Sequence, residues 1–223
     1  MRVAPDPRPR APERATALRW GDTRPTLWCS TLWALAVATQ LVGSAPSDAR
    51  GAPGPGDTPP SATACAVCHG VDGRSHTPGV PSLAGQPAAF LREQLRRFAT
   101  GQRSSSAMAP IAAGLDEDEA QALAAMYAAM PAPSEPSATD TALMARGRAL
   151  ASLRVCGSCH RRDFSGGGLV PRLAGQREDY LERSLTEYRD HLRNTPDGVM
   201  AAAADRMPDG HIHALAHFLA HCR

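Results

Sequence analysis

The chain has 223 residues, 43% of them apolar and 21% charged but only 4% aromatic, and 20 prolines and 19 glycines interrupt it. That is enough apolar material for one ordinary core or two small ones. Its 24 cations are all arginine, interspersed with 22 acids to a formal net charge of +2, which leaves no basic field for nucleic acid.

In chain order, the first 49 residues read as an address. Arg2, Arg8, Arg10, Arg14, Arg19 and Arg24 precede an apolar run from Leu27 to Val42, and small residues follow through Ala45 and Ala49. This is the order of a secretory signal peptide with a long leader, and it predicts export to the periplasm. The run contains Ser30, Thr31, Thr39 and Gln40, and is shorter than the ~20 apolar residues of a spanning helix, so an uncleaved anchor is the lesser reading. Arg-Arg occurs only at Arg96–Arg97 and Arg161–Arg162, which gives no twin-arginine signal, and Cys29 opens the run rather than closing it as a lipidated cysteine would.

Residues 50–61 are Pro/Gly-rich and read as a flexible lead-in. Two similar units follow, over 62–130 and 141–223, separated by a linker, "PAPSEPSATD", at 131–140. "GVPSLAGQPAAFLREQLRRF" (79–98) aligns with "LVPRLAGQREDYLERSLTEY" (169–188), and the repeat continues beyond at an offset of about ninety residues. Phe90, Leu91, Leu95 and Phe98 share a helical period with Tyr180, Leu181, Leu185 and Tyr188. Helix starts recur at "LDEDEAQALAAMYAAM" and "MPDGHIHALAHFLAHC", the first with acids and the second with proline and aspartate in the opening turn. No stretch alternates with period two, so the fold class is all-α. With so few aromatic side chains, a large flat cofactor would supply much of each unit's buried surface.

Each unit carries one Cys-x-x-Cys-His motif: Cys65, Cys68 and His69, then Cys156, Cys159 and His160. Alone, a Cys-x-x-Cys pair suits a redox dithiol, half a zinc site or a disulfide. Histidine directly after the second cysteine suits covalent haem attachment, in which two thiols add to two vinyl groups and the adjoining imidazole lies beneath the iron. Zinc needs a second ligand pair per unit, yet the first unit has no further cysteine and one further histidine, His76. A thioredoxin-like site needs a βαβ pattern, and none is present. The other face of a six-coordinate haem takes methionine or histidine. Met108 and Met200 sit at equivalent places, each at a loop exit before the last helix, and are the distal candidates. Met126, Met130 and Met207 read as core filler. His76 and His191 are alternative ligands, but neither has a counterpart in the other unit.

These motifs and their surroundings, over about residues 60–222, resemble the dihaem class-I cytochromes c of the cytochrome c4 type. The resemblance implies two tandem cytochrome c-like helical domains, each around a covalent haem c, with thioether bonds at Cys65, Cys68, Cys156 and Cys159. It also implies iron ligands His69 with Met108 and His160 with Met200, and carbonyls of Pro81 and Pro171 that hold the two proximal rings. The implied role is periplasmic electron transfer, with redox protein partners such as a quinol–cytochrome c reductase and a terminal oxidase, possible association with the membrane surface, and no catalysis. The alternatives are the cytochrome subunit of a sulfide- or alcohol-oxidising dehydrogenase, and a dihaem peroxidase, which two matched methionines disfavour.

The second motif departs from the first: Arg161 and Arg162 replace Gly70 and its successor, placing two cations by the second haem, and Asp197–Gly198 lengthens the loop before Met200. Residues 51–130 are net −2 and residues 137–223 net +2, a modest dipole for orienting the molecule between partners. His213, His217 and His221 share one face of the last helix opposite Ile212, Leu215, Ala216, Leu219 and Cys222; a solvated stripe is the main expectation and a metal site the sharper one. Cys222 is expected as a buried free thiol, with an intermolecular disulfide as the alternative.

Overall fold

The computed structural model describes residues 58–134 and 139–222. The signal peptide expected over 1–49 lies outside the described residues, as does the lead-in up to residue 57. Regular structure among the described residues is helical, apart from one isolated bridge between Gly167 and Val170. No helix there is long and apolar enough to cross a membrane.

The elements are α1 (Ala62–His69), α2 (Ala88–Ala99), α3 (Met108–Ala113), α4 (Glu117–Ala129), α5 (Thr141–Leu153), α6 (Gly157–His160), α7 (Glu178–Arg189), α8 (Val199–Ala204) and α9 (Asp209–His221). The repeat is plain in them: α2 matches α7, α3 matches α8 and α4 matches α9, each pair equal in length. Local chemistry sets the ends. Asp116 caps α4 by accepting from the Glu119 amide at 2.8 Å, and Glu117, Asp118 and Glu119 face the positive end of the helix dipole. Asp140 caps α5 by accepting from the amides of Ala142 and Leu143.

Each unit packs its last helix into its own core. In the first, α2 lies on α3 and α4, and Leu91, Leu123, Ala124 and Tyr127 are buried together. In the second, α9 lies between α5 and α7, with Ile212, Leu215, Phe218 and Leu219 at its centre. The crossing of α5 and α9 is close: a Cβ on Gly147 would stand 2.1 Å from the Ala214 carbonyl oxygen. The loop carrying the repeated "LAGQ" hangs on the last helix in both units, through Gly85 N–H to Tyr127 O and Gly175 N–H to Leu219 O, each 3.0 Å.

Two sequence expectations are refined. Met108 and Met200 do not stand at bare loop exits but in the first turns of α3 and α8, six-residue helices too short to leave a periodic signal. The histidine stripe on α9 is not uniformly solvated: His213 is exposed, His221 is half-buried and His217 is buried, because α9 has neighbours on both sides.

Candidate metal centres

The two motif histidines occupy the same environment twice. His69 closes α1 and His160 closes α6, and both rings are buried, at 7% and 5% exposure. His69 Nδ1–H donates to the Pro81 carbonyl at 2.8 Å, and His160 Nδ1–H donates to the Pro171 carbonyl at 2.9 Å. That bond fixes the tautomer, leaving Nε2 as the bare nitrogen of each ring, and Nε2 has no hydrogen-bond partner among the described residues. Burial pushes both imidazoles below their ordinary pKa against the pull of the proline carbonyls, so both are neutral near pH 7. A neutral ring with a fixed Nδ1–H and a free Nε2 is in the form that a transition metal takes.

The cysteines flank these rings in matched fashion. Cys65 and Cys156 are half-buried while Cys68 and Cys159 are exposed. Desolvation raises the pKa of Cys65 and of Cys156. Large apolar side chains stand exposed within or beside the motifs in sequence, Val67 and Val71 at the first and Leu153 and Val155 at the second. An apolar group bonded to the cysteines fits this surface better than a hydrated metal ion does. The motif cysteines take part in none of the metal-ligand clusters formed by the described residues.

Met108 is half-buried, and its amide donates to Ser105 Oγ at 3.1 Å; Met200 is half-buried in α8, which packs on α7. The alternative ligands His76 and His191 are both exposed, His191 with φ 57°. Arg161 takes the place of Gly70 and keeps its backbone form, φ 66° against 83°. Its guanidinium lies over Gly167, and Arg161 and Arg162 are both exposed.

Between the units lies a set of contacts that the motif reading missed. Gln86 Nε2 donates to the Arg172 carbonyl and Gln86 Oε1 accepts from the Arg172 amide, at 2.9 and 3.0 Å. Gln176 does the same to Ser82, at 2.9 and 2.8 Å. Ser82 and Arg172 each follow the proline that holds a motif histidine, so the two histidine loops are clasped reciprocally. Asp179 accepts from the Gly79 amide at 2.7 Å, and Arg177 reaches the Ser75 carbonyl at 3.0 Å. The signal that could have disclosed the clasp is the glutamine repeated at the same step of an otherwise apolar "LAGQ".

A surplus of positive charge marks the same boundary. Arg103 and Arg193, matched in the repeat, both donate to Tyr180 Oη, at 3.0 and 3.4 Å, and stack on Phe98 and Tyr188. Neither guanidinium has a carboxylate within ion-pair distance among the described residues. Burial would raise the Tyr180 pKa, but Arg193 and Arg103 outweigh it and bring the hydroxyl down to about 7. Half-buried cations lacking carboxylate partners fit a cofactor that brings its own, as haem does with two propionates.

The comparisons agree with this arrangement. The cytochrome c family matches the chain twice, over residues 56–143 and 144–222. A thiosulfate dehydrogenase electron acceptor from Stutzerimonas stutzeri (strain A1501) is 39% identical over 176 residues, 74% of this chain and 82% of its own length. A cytochrome c4 from Thiocapsa roseopersicina is 35% identical over 166 residues, 70% of this chain and 85% of its own. The fold superposes on that of reduced recombinant cytochrome c4 from Pseudomonas stutzeri with a TM-score of 0.68 and 26% identity, covering 73% of this chain and 95% of that one.

Proposed function

The chain belongs to the cytochrome c family, and from that premise we propose that it is a periplasmic dihaem cytochrome passing electrons from a respiratory donor, such as a quinol–cytochrome c reductase, to a terminal oxidase or another acceptor. It binds two covalent haem c groups, carries electrons and has no substrate chemistry of its own. Its haem domains are assigned to 62–130 and 141–223. Cys65 and Cys68 hold the first haem and Cys156 and Cys159 the second; His69 and His160 are the proximal ligands, Met108 and Met200 the distal ones. The observation that carries this reading is the duplicated Nδ1–H bond from motif histidine to proline carbonyl.

Haem supplies one-electron ferric–ferrous chemistry, and the chain supplies its position and potential. Pro81 and Pro171 orient the imidazoles and make them better donors. Arg103 and Arg193 answer the propionate charge, and the glutamine clasp holds the two sites in one register. Mass spectrometry of protein matured in a periplasm tests the reading: two haem additions that survive denaturation are expected, and one or none would overturn it.

A second reading is favoured by the thiosulfate dehydrogenase electron acceptor among the relatives. In it the same dihaem chain takes electrons from a sulfur-oxidising dehydrogenase. Co-purification separates the two: a subunit arrives with its catalytic partner, a free carrier alone.

A further inference from the structure

A carboxylate–histidine cluster on α7 and α9 of the second unit contains none of the motif cysteines or histidines. α7 and α9 pack antiparallel, with Glu178 beside His217 and Glu182 beside His213. Glu178 and Glu182 stand four residues apart on α7, and His213, His217 and His221 repeat that spacing on α9, so each set faces the other along one stripe. His213 Nδ1 lies in hydrogen-bond contact with the Glu182 carboxylate and 4.0 Å from Glu178 Oε1. Among the described residues neither carboxylate pairs with an arginine, although arginine supplies every other cation of the chain's ion pairs.

We propose that Glu178, Glu182 and His213 form a binding site for a divalent transition-metal ion of the zinc class, with His217 as the positioning residue behind Glu178. One imidazole nitrogen and two carboxylate oxygens are a zinc donor set that leaves a position for water. These ligand atoms all lie within 4.8 Å of one another. Around an ion with bonds of about 2.1 Å, tetrahedral ligand atoms stand about 3.4 Å apart, so short movements of surface side chains complete the geometry. The hydrogen bond between His213 and Glu182 joins two of these ligand groups directly where the ion would stand between them.

The role of His217 follows from its two hydrogen bonds. Its Nε2 accepts from the Asp140 amide at 3.1 Å, which forces the proton onto Nδ1, and Nδ1–H donates to the Glu178 carboxylate at 3.1 Å. A ring used this way orients a ligating carboxylate and does not itself ligate. His221 is committed elsewhere, its Nδ1–H donating to the His217 carbonyl at 2.7 Å.

The test is calorimetric titration of Zn²⁺ into the haem-loaded protein, with the thermal unfolding midpoint followed in parallel. One saturable event is expected, with a midpoint that climbs with Zn²⁺ concentration because only the folded chain brings α7 and α9 together. His213→Ala at an exposed position and Glu182→Gln at a half-buried one should each weaken uptake by about tenfold or more and abolish the midpoint shift, while His191→Ala leaves both unchanged. Absence of saturable uptake by the wild type, or equal uptake by the two variants, would show an ion-pair cluster only and overturn the site.

Discussion

Ser82 and Gln176 close a two-bond ring across the repeat: the Ser82 amide donates to Gln176 Oε1 and the Gln176 side-chain amide donates back to the Ser82 carbonyl, at 2.8 and 2.9 Å. Both residues are 5% exposed, and Pro81, immediately before Ser82, holds His69. The clasp thus acts directly on the loop that positions the first proximal ligand.

Gln176→Leu should therefore cost more than the two bonds it removes. It strands a buried N–H and a buried C=O of Ser82, at about 1–3 kcal/mol for each unsatisfied group. The expected result is a loss of roughly 2–5 kcal/mol in denaturant unfolding of the haem-loaded protein. An unchanged unfolding midpoint would mean that water replaces the clasp without penalty.

Arg161 stores strain. At φ 66° and ψ 164° it holds a conformation open in practice to glycine alone, at a cost of about 1–3 kcal/mol. Arg161→Gly relieves that strain and loses roughly 0.5–1 kcal/mol to chain entropy, for a net gain of about 1 kcal/mol in stability. Thermal unfolding of the single variant measures it; destabilisation would show that the guanidinium contact over Gly167 outweighs the strain.

The double variant Arg161→Gly with Arg162→Ala tests the electrostatics of the second haem. Cations beside a haem disfavour the ferric state, so their removal should lower one midpoint potential and leave the other in place. Both side chains are exposed, and Asp163 lies close enough to Arg161 for its carboxyl pKa to feel that charge. The effect should amount to about 0.5 kcal/mol or less, and should shrink as salt is added. Spectro-electrochemical titration with a Met200→His marker for the second haem decides it; movement of the first potential would refute the assignment.

Asp179 makes the boundary between units acid-sensitive. Hydrogen bonds from Arg177, and then from the Gly79 amide, hold its carboxyl below the ordinary value of 3.8. A depressed folded pKa contributes stability that is complete above the unfolded value and lost as pH falls through the folded one. Wild type should therefore be more stable than Asp179→Asn at pH 6, and the difference should close below about pH 4. A difference that does not shrink as pH falls below about 4 would place the effect elsewhere.

If Met108 and Met200 ligate iron, the ferric protein should show methionine–iron charge-transfer absorption and be inert to peroxide and carbon monoxide near pH 7. Met108→Ala should open one haem only, giving carbon monoxide binding at half stoichiometry. Rapid peroxide turnover by the wild type would favour an enzyme.

The two Cys-x-x-Cys-His motifs, the repeat and the long helices α2, α4, α7 and α9 were legible because each leaves a spacing or a period in the sequence. The helices α3 and α8 were not, since six residues span less than two turns. The clasp was hidden for another reason: Gln86 and Gln176 bond to backbone in the opposite unit, and a backbone partner has no side-chain identity to read. The burial of His217 was not legible because the period of α9 shows its apolar face but not that α5 and α7 cover the helix from two sides.

The short connector after α4 bears on modularity. Ala132 lies where a side chain on Gly85 would stand, and the Pro133 carbonyl where one on Gly175 would stand, so residues 132 and 133 thread between the two glutamine-bearing loops. The halves are therefore not interchangeable cassettes. A chimera that joins one unit to a foreign partner must carry over this connector and both glycines with the graft, and a cut between residues 130 and 134 removes a strand of packing from both halves at once.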